Sequence, residues 1–209
     1  MTKKPNEKFI HNCGETKTKI EGREKSIVDM DFDDKELKEI LDFYLFHSIT
    51  VHDNKKTETF GHKSLQMYGW SGNADLSKLE GRLLRASNIG FFCFIKADSI
   101  EDTLDAMNLK NSICVEHPRA VLKQKYSVRV QENGEVDVSQ KETRMGCLFR
   151  HIRNAFAHNC TYLFENNNIL LEDSEENGKL SARILMPKQA LVEWMKIIKK
   201  EDGGQNYEE

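Results

Sequence analysis

The residues best able to do chemistry fall in one run, Arg144 to His158. It holds Arg144, Arg150, His151, Arg153 and His158 without one acidic residue, in a chain with 34 acids against 31 Lys and Arg and a net charge of −3. Cations gathered with no acid in their own stretch of sequence imply an anionic ligand. Arginine presents a planar fork of donors that matches phosphate oxygens, and histidine exchanges a proton near neutral pH. Asn154 stands one helical turn before His158, placed for its amide to orient the imidazole. These types and spacings fit acid–base chemistry on a phosphate ester. Arg153, Asn154 and His158 are the candidate catalytic groups, and Arg150, His151 and Arg144 the candidate substrate contacts. The competing reading is an ordinary solvated basic helix face.

These residues need a helix to hold them. Ser139-Gln140-Lys141-Glu142 is a capping-box pattern, which predicts a helix over about 139–159 with a bend at Gly146. At 100° per residue, Leu148, Phe149, Ile152, Ala155 and Phe156 form one apolar face that must dock on a core. Arg150, His151, Asn154, Ala157 and His158 take the exposed half, and Arg153 lies about 140° from His158. Arg153 and His158 therefore straddle a groove floored by the small Ala157.

Other elements are legible around this helix. Asp33 with Glu36 precedes Leu37, Ile40, Leu41, Tyr44 and Leu45, a helical spacing. Residues 50–75, with Gly61, Gly69 and Gly72 among Phe60, Tyr68 and Trp70, read as a long connection whose aromatics either pack in the core or stack on bases. Ser77-Lys78-Leu79-Glu80 opens what reads as a central buried helix running toward the apolar Phe91–Ile95 stretch. A short helix is expected from Ser99 to Met107, and Pro118 starts a further segment. Tyr126, Val128 and Val130 alternate up to Asn133-Gly134, and Val136 and Val138 alternate after it, the pattern of a β-hairpin. Arg119, Lys123, Lys125 and Arg129 form a strip that either follows a phosphate backbone or is merely solvated. Short strands are expected over 161–186 and a packing helix over 187–200, with Leu191, Trp194, Met195 and Ile198 at i, i+3, i+4 and i+7.

The domain plan is a basic N-terminal arm (1–30), one domain (31–200) and a tail (201–209). At 209 residues the chain suits one sizeable core. No apolar run reaches the length of a membrane span, and polar residues follow Met1 where a secretory signal needs an apolar segment, so a cytoplasmic location is expected. The five cysteines are scattered, with no Cys-x-x-Cys pair. Reduced thiols are therefore expected, rather than a disulfide framework or a zinc ribbon. The repeated tripeptides His11-Asn12-Cys13 and His158-Asn159-Cys160 are read as coincidence, and no metal or cofactor is expected.

The string Arg153-Asn154-x-x-x-His158 resembles the R-(N/D/H)-x-x-x-H signature of the HEPN superfamily. The wider run, Leu148-Phe149-Arg150-His151-Ile152-Arg153-Asn154-Ala155-Phe156-Ala157-His158-Asn159, is similar in its interleaving of apolar residues and alanines. The resemblance covers mainly this helix. It implies a mainly α fold, a HEPN-like helical bundle with small β-hairpin insertions. It also implies a metal-independent endoribonuclease of the toxin–antitoxin or defence kind, acting as a homodimer in which two motif helices face each other, and subject to an antitoxin or regulator. Where one HEPN subgroup has a tyrosine two residues after the histidine, this chain has Cys160, which removes the basis for regulation by nucleotidyl transfer.

On that reading the substrate is single-stranded RNA. His158 handles the 2′-hydroxyl or 5′-oxygen proton, Arg153 braces the phosphorane, and His151 is an in-chain alternative for the second proton. The alternative is a non-catalytic HEPN-like module that binds RNA, a nucleotide or a protein partner through the same groove. A third reading is a scaffold that only dimerises through this helix.

Overall fold

The computed structural model describes residues 34–201, apart from 48, 51–62, 111–112, 114, 132–133, 141 and 165. The basic arm (1–30), Asp33, Phe60, His11 to Cys13 and the tail beyond 201 lie outside the described residues.

Among those residues the elements are α1 (Asp34–Leu41, continued by a π-turn over Asp42–Phe46), β1 (Ile49–Thr50), β2 (Lys63–Ser64), a 3-10 turn (Leu65–Tyr68), α2 (Gly72–Ser87), β3 (Phe91–Ile95) and α3 (Glu101–Ala106). Then come β4 (Arg119–Lys123), β5 (Tyr126–Val130), β6 (Val136–Gln140), α4 (Arg144–Ala157), β7 (Thr161–Leu163), β8 (Asn168–Ser174), β9 (Leu180–Pro187) and α5 (Gln189–Lys199). Five strands form one mixed sheet in the order β3-β4-β9-β8-β7. β3 and β4 run parallel, joined by a crossover through α3, and the remaining neighbours are antiparallel.

Strand alternation divides the core in two. Ala120, Leu122, Ile169, Leu171, Ala182, Ile184 and Met186 point to the face covered by α1, α2, α4 and α5. Val121, Leu170 and Leu185, one residue out of step, point to the face covered by Ile100 and Leu104 of the α3 region together with Leu109, Ile113, Val115 and Phe164. A strand buried on both faces loses the apolar–polar alternation and reads as a continuous apolar run. Three side-chain hydrogen bonds tie the helical layer together: Trp194 Nε1 to the Leu83 carbonyl (2.7 Å), Tyr44 Oη to the Leu191 carbonyl (2.8 Å) and Trp70 Nε1 to the Ile198 carbonyl (2.9 Å). Trp70 is thus a core residue rather than a base-stacking platform.

The sheet overturns the expectation of a mainly α, HEPN-like helical bundle with small β insertions. The strands expected over 161–186 are present as β7, β8 and β9, but they join two more. One is β3, whose five apolar residues carry no period that separates strand from helix. Asn88 in the left-handed region (φ 51°) ends α2 before that run begins. The other is β4, opened after Pro118 and filled with buried Ala120, Val121 and Leu122.

Two helix starts also differ. α2 begins at Gly72 rather than Ser77. α4 begins after Thr143 because Ser139 belongs to β6, where its hydroxyl meets that of Ser127 at 2.6 Å. The hairpin β5–β6 is as expected, with Val128 opposite Val138 and Val130 opposite Val136, all four exposed on one face. α5 buries Leu191, Trp194, Met195 and Ile198 as its spacing requires.

Candidate active site

Helix α4 is capped by Thr143, whose Oγ1 accepts the Gly146 N–H at 3.0 Å. Its apolar face, Leu148, Phe149, Ile152, Ala155 and Phe156, is buried as the wheel predicts. The helix ends at His158, and Asn159 in the left-handed region (φ 53°) turns the chain toward β7. His158 and Ala157 are exposed at this end.

The expected exposed half needs correction at His151, which is 1% exposed. The helix lies on the sheet, which covers a wider arc than the apolar stripe. Nδ1 of His151 lies 2.7 Å from Asp173 Oδ2 on β8, and Nε2 lies 2.9 Å from the Lys123 carbonyl oxygen and 3.1 Å from the Arg150 guanidinium. With both ring nitrogens engaged inside the core, His151 has none free to exchange a proton with a substrate.

The acid-free run is acid-free only along the chain. Arg150 forms a bidentate pair with Glu142, Nη2 to Oε1 at 2.6 Å and Nε to Oε2 at 2.9 Å, and also reaches the Lys123 carbonyl at 3.1 Å. Burial acts to raise the Glu142 pKa, but Arg150 and the Lys125 backbone N–H outweigh it and hold the carboxyl below its ordinary value. Arg144 pairs with Glu80 of α2 at 3.1 Å and stacks over Phe94 at 5.5 Å. Fourteen positions from His158 by way of a helix, it lies about 20 Å away along the axis. Sheet and neighbouring helices thus supply the acids that the local sequence lacks. Of the five cations in the run, Arg153 and His158 alone have no acidic partner among the described residues.

Beside this helix is a groove of about 890 Å³. Arg150, Asn154 and His158 form its α4 wall, Lys123 to Tyr126 and Val128 a second, and Asp173 to Glu176 with Ser181 a third. Lys123 is committed to Glu175 (2.6 Å) and to the Asp98 carbonyl (2.7 Å), and Tyr126 Oη donates to the Asp98 carboxylate (2.9 Å). Arg153 is not on this wall; it occupies the opposite flank of α4, with exposed Ala157 between it and His158. Its Nε is buried without a hydrogen-bond partner, and Nη1 lies 3.5 Å from Asn154 Oδ1.

Asn154 does not orient His158. Its Nδ2 donates to Asp173 Oδ2 at 3.1 Å.

No family model, curated protein or solved structure matches the chain. The residues alone must carry the functional argument. Asn154 and His158 line the groove near the end of α4, Arg153 stands on the flank away from it, Arg150 and His151 are structural partners nearby, and Arg144 is remote. Of the basic strip, Lys123 and Lys125 reach the groove, whereas Arg119 is buried in β4. Among the described residues, no group of three or more His, Cys, Asp or Glu is placed to hold a metal ion. No helix among them is long and apolar enough to cross a membrane.

Asp173 and Glu142 were missed by the sequence reading. Asp173 carried a signal: it shares strand parity with Ile169 and Leu171, so an acid had to enter the core there and needed a partner.

Proposed function

We propose that the chain is an endoribonuclease that cleaves single-stranded RNA at the C-terminal end of α4, with His158 and Arg153 as its reacting pair. The observation that carries this is the charge accounting of α4. Protein acids satisfy Arg144, Arg150 and His151, and leave the two residues of the R-N-x-x-x-H pattern, exposed His158 and half-buried Arg153, without acidic partners among the described residues. The resemblance to the HEPN signature, now confined to this helix, supports the same pair.

In the reaction the RNA 2′-oxygen bonds to its own phosphorus and the bond from phosphorus to the 5′-oxygen breaks. The products are a 2′,3′-cyclic phosphate and a free 5′-hydroxyl. His158 takes the 2′-hydroxyl proton or delivers one to the 5′-oxygen, a contribution of about 10² to 10⁴-fold. Arg153 braces the phosphorane oxygens with its donor fork, worth roughly 3 kcal/mol by analogy with oxyanion donors. The helix end there carries partial negative charge, so the backbone gives a phosphate no help and the two cations must supply the attraction. One imidazole cannot serve both oxygens in a single displacement. A second copy, docked through the end of α4, brings the other histidine. From the resemblance come the metal-independent chemistry, a controlling antitoxin and a cytoplasmic setting.

A non-catalytic module is the second reading, and the groove's own charges favour it. Asp98, Asp173, Glu175 and Glu176 outnumber Lys123, Lys125 and Arg150, which suits a peptide of a protein partner better than a long polyanion. The two separate on one comparison of His158→Ala with the parent chain. The ribonuclease loses cleavage and keeps RNA affinity, whereas the module shows no cleavage in any preparation.

A further inference from the structure

We infer that Asp173 is a positioning residue for the α4 site: it fixes the Asn154 amide and, through it, the place of the Arg153 guanidinium. Asp173 stands 19 positions beyond Asn154 in sequence, on a different element, and no part of the R-N-x-x-x-H pattern points to it.

Two donors converge on one oxygen of Asp173: Nδ1 of His151 at 2.7 Å and Nδ2 of Asn154 at 3.1 Å. With Nδ2 held on that side, the amide has one orientation, and Oδ1 is turned toward Arg153 Nη1 at 3.5 Å. Among the described residues the buried Arg153 Nε has no hydrogen-bond partner, and Asn154 is the polar contact on this guanidinium. The far end of the relay is equally fixed, since His151 Nε2 meets the Lys123 carbonyl of β4 at 2.9 Å. Two sheet strands thereby hold one amide on the helix that carries the reacting groups. Burial acts to raise the Asp173 pKa, but the hydrogen bond and charge of His151, the Asn154 amide and the Ser181 hydroxyl outweigh it, so the carboxyl sits below its ordinary value and stays an acceptor.

The consequence for rate rests on the ribonuclease reading; the geometric relationship does not. The test uses the full chain labelled with ¹⁵N and ¹³C, as Asp173→Asn, as Asn154→Ala and as the two together, a cycle that asks whether Asp173 acts through Asn154. In Asp173→Asn the Arg153 Nε–H signal shifts and its guanidinium rotates faster. The kcat for RNA falls on the order of 10²-fold at unchanged KM, as expected when a reacting group is slightly misplaced. The double variant matches Asn154→Ala alone in both signal and rate. An Arg153 signal that stays put in folded Asp173→Asn overturns the inference, as does a double variant in which the two losses add. Should Asp173→Asn not fold, the parent chain decides: the Asn154 amide must titrate with the midpoint of the Asp173 carboxyl carbon, and independent titration overturns it. If the parent chain cuts no RNA, the ribonuclease reading fails while the spectra still judge the positioning.

Discussion

Asp173 of β8 and His151 of α4 meet at 2.7 Å with side chains 4% and 0% exposed, joining the helix that carries the candidate site to the sheet beneath it. Replacing His151 with leucine leaves a buried carboxylate without its main partner, which should cost about 3–5 kcal/mol. Urea unfolding followed by circular dichroism measures this directly. A loss under about 1 kcal/mol, the scale of an exposed pair, would contradict the buried geometry.

Acid should weaken this same joint. Asp173 and Glu142 both have pKa values below those of ordinary carboxylates. The stability they contribute is therefore complete above the unfolded-state values, near pH 4, and is lost as pH falls through the lower folded-state values. Thermal melts from pH 6 down to pH 2 should show a steep acid limb. Glu142→Gln should make it shallower, and a limb as steep as that of the parent chain would count against the assignment.

The start of α4 separates two capping residues. Thr143 accepts the Gly146 N–H, whereas Ser139, the residue that the capping-box pattern picks out, lies in β6. Thr143→Ala should cost about 1 kcal/mol, within the usual range for a lost N-cap. Ser139→Ala should cost under about 0.5 kcal/mol, as for a change outside core and caps. Equal losses in urea unfolding would mean that the helix begins earlier.

How much of this was legible in the sequence depended on whether the deciding partner was local. The packing face of α4, the hairpin turning at Gly134 and the spacing of α5 follow from periods of 3.6 and 2, which a single segment contains. The sheet did not, because β3 and β4 are apolar runs whose pairing is settled 28 residues apart, Phe91 against Arg119. At the site, the pattern Arg153-Asn154-x-x-x-His158 was legible as three positions on one helix. The neutralisation of Arg144, Arg150 and His151 was not, since Glu80, Glu142 and Asp173 come from α2, the segment before α4, and β8. A charge run gives the composition of one face, and the fold supplies its partners.

The central claim is that Arg153 and His158 cut RNA. The direct test incubates the parent chain, Arg153→Ala and His158→Ala with total RNA in excess EDTA and identifies the fragment ends. The parent chain should leave 2′,3′-cyclic phosphate ends, with the rate reduced about 10² to 10⁴-fold in His158→Ala and about 10²-fold in Arg153→Ala. Intact RNA with the parent chain, or cleavage that both variants retain, would contradict that claim.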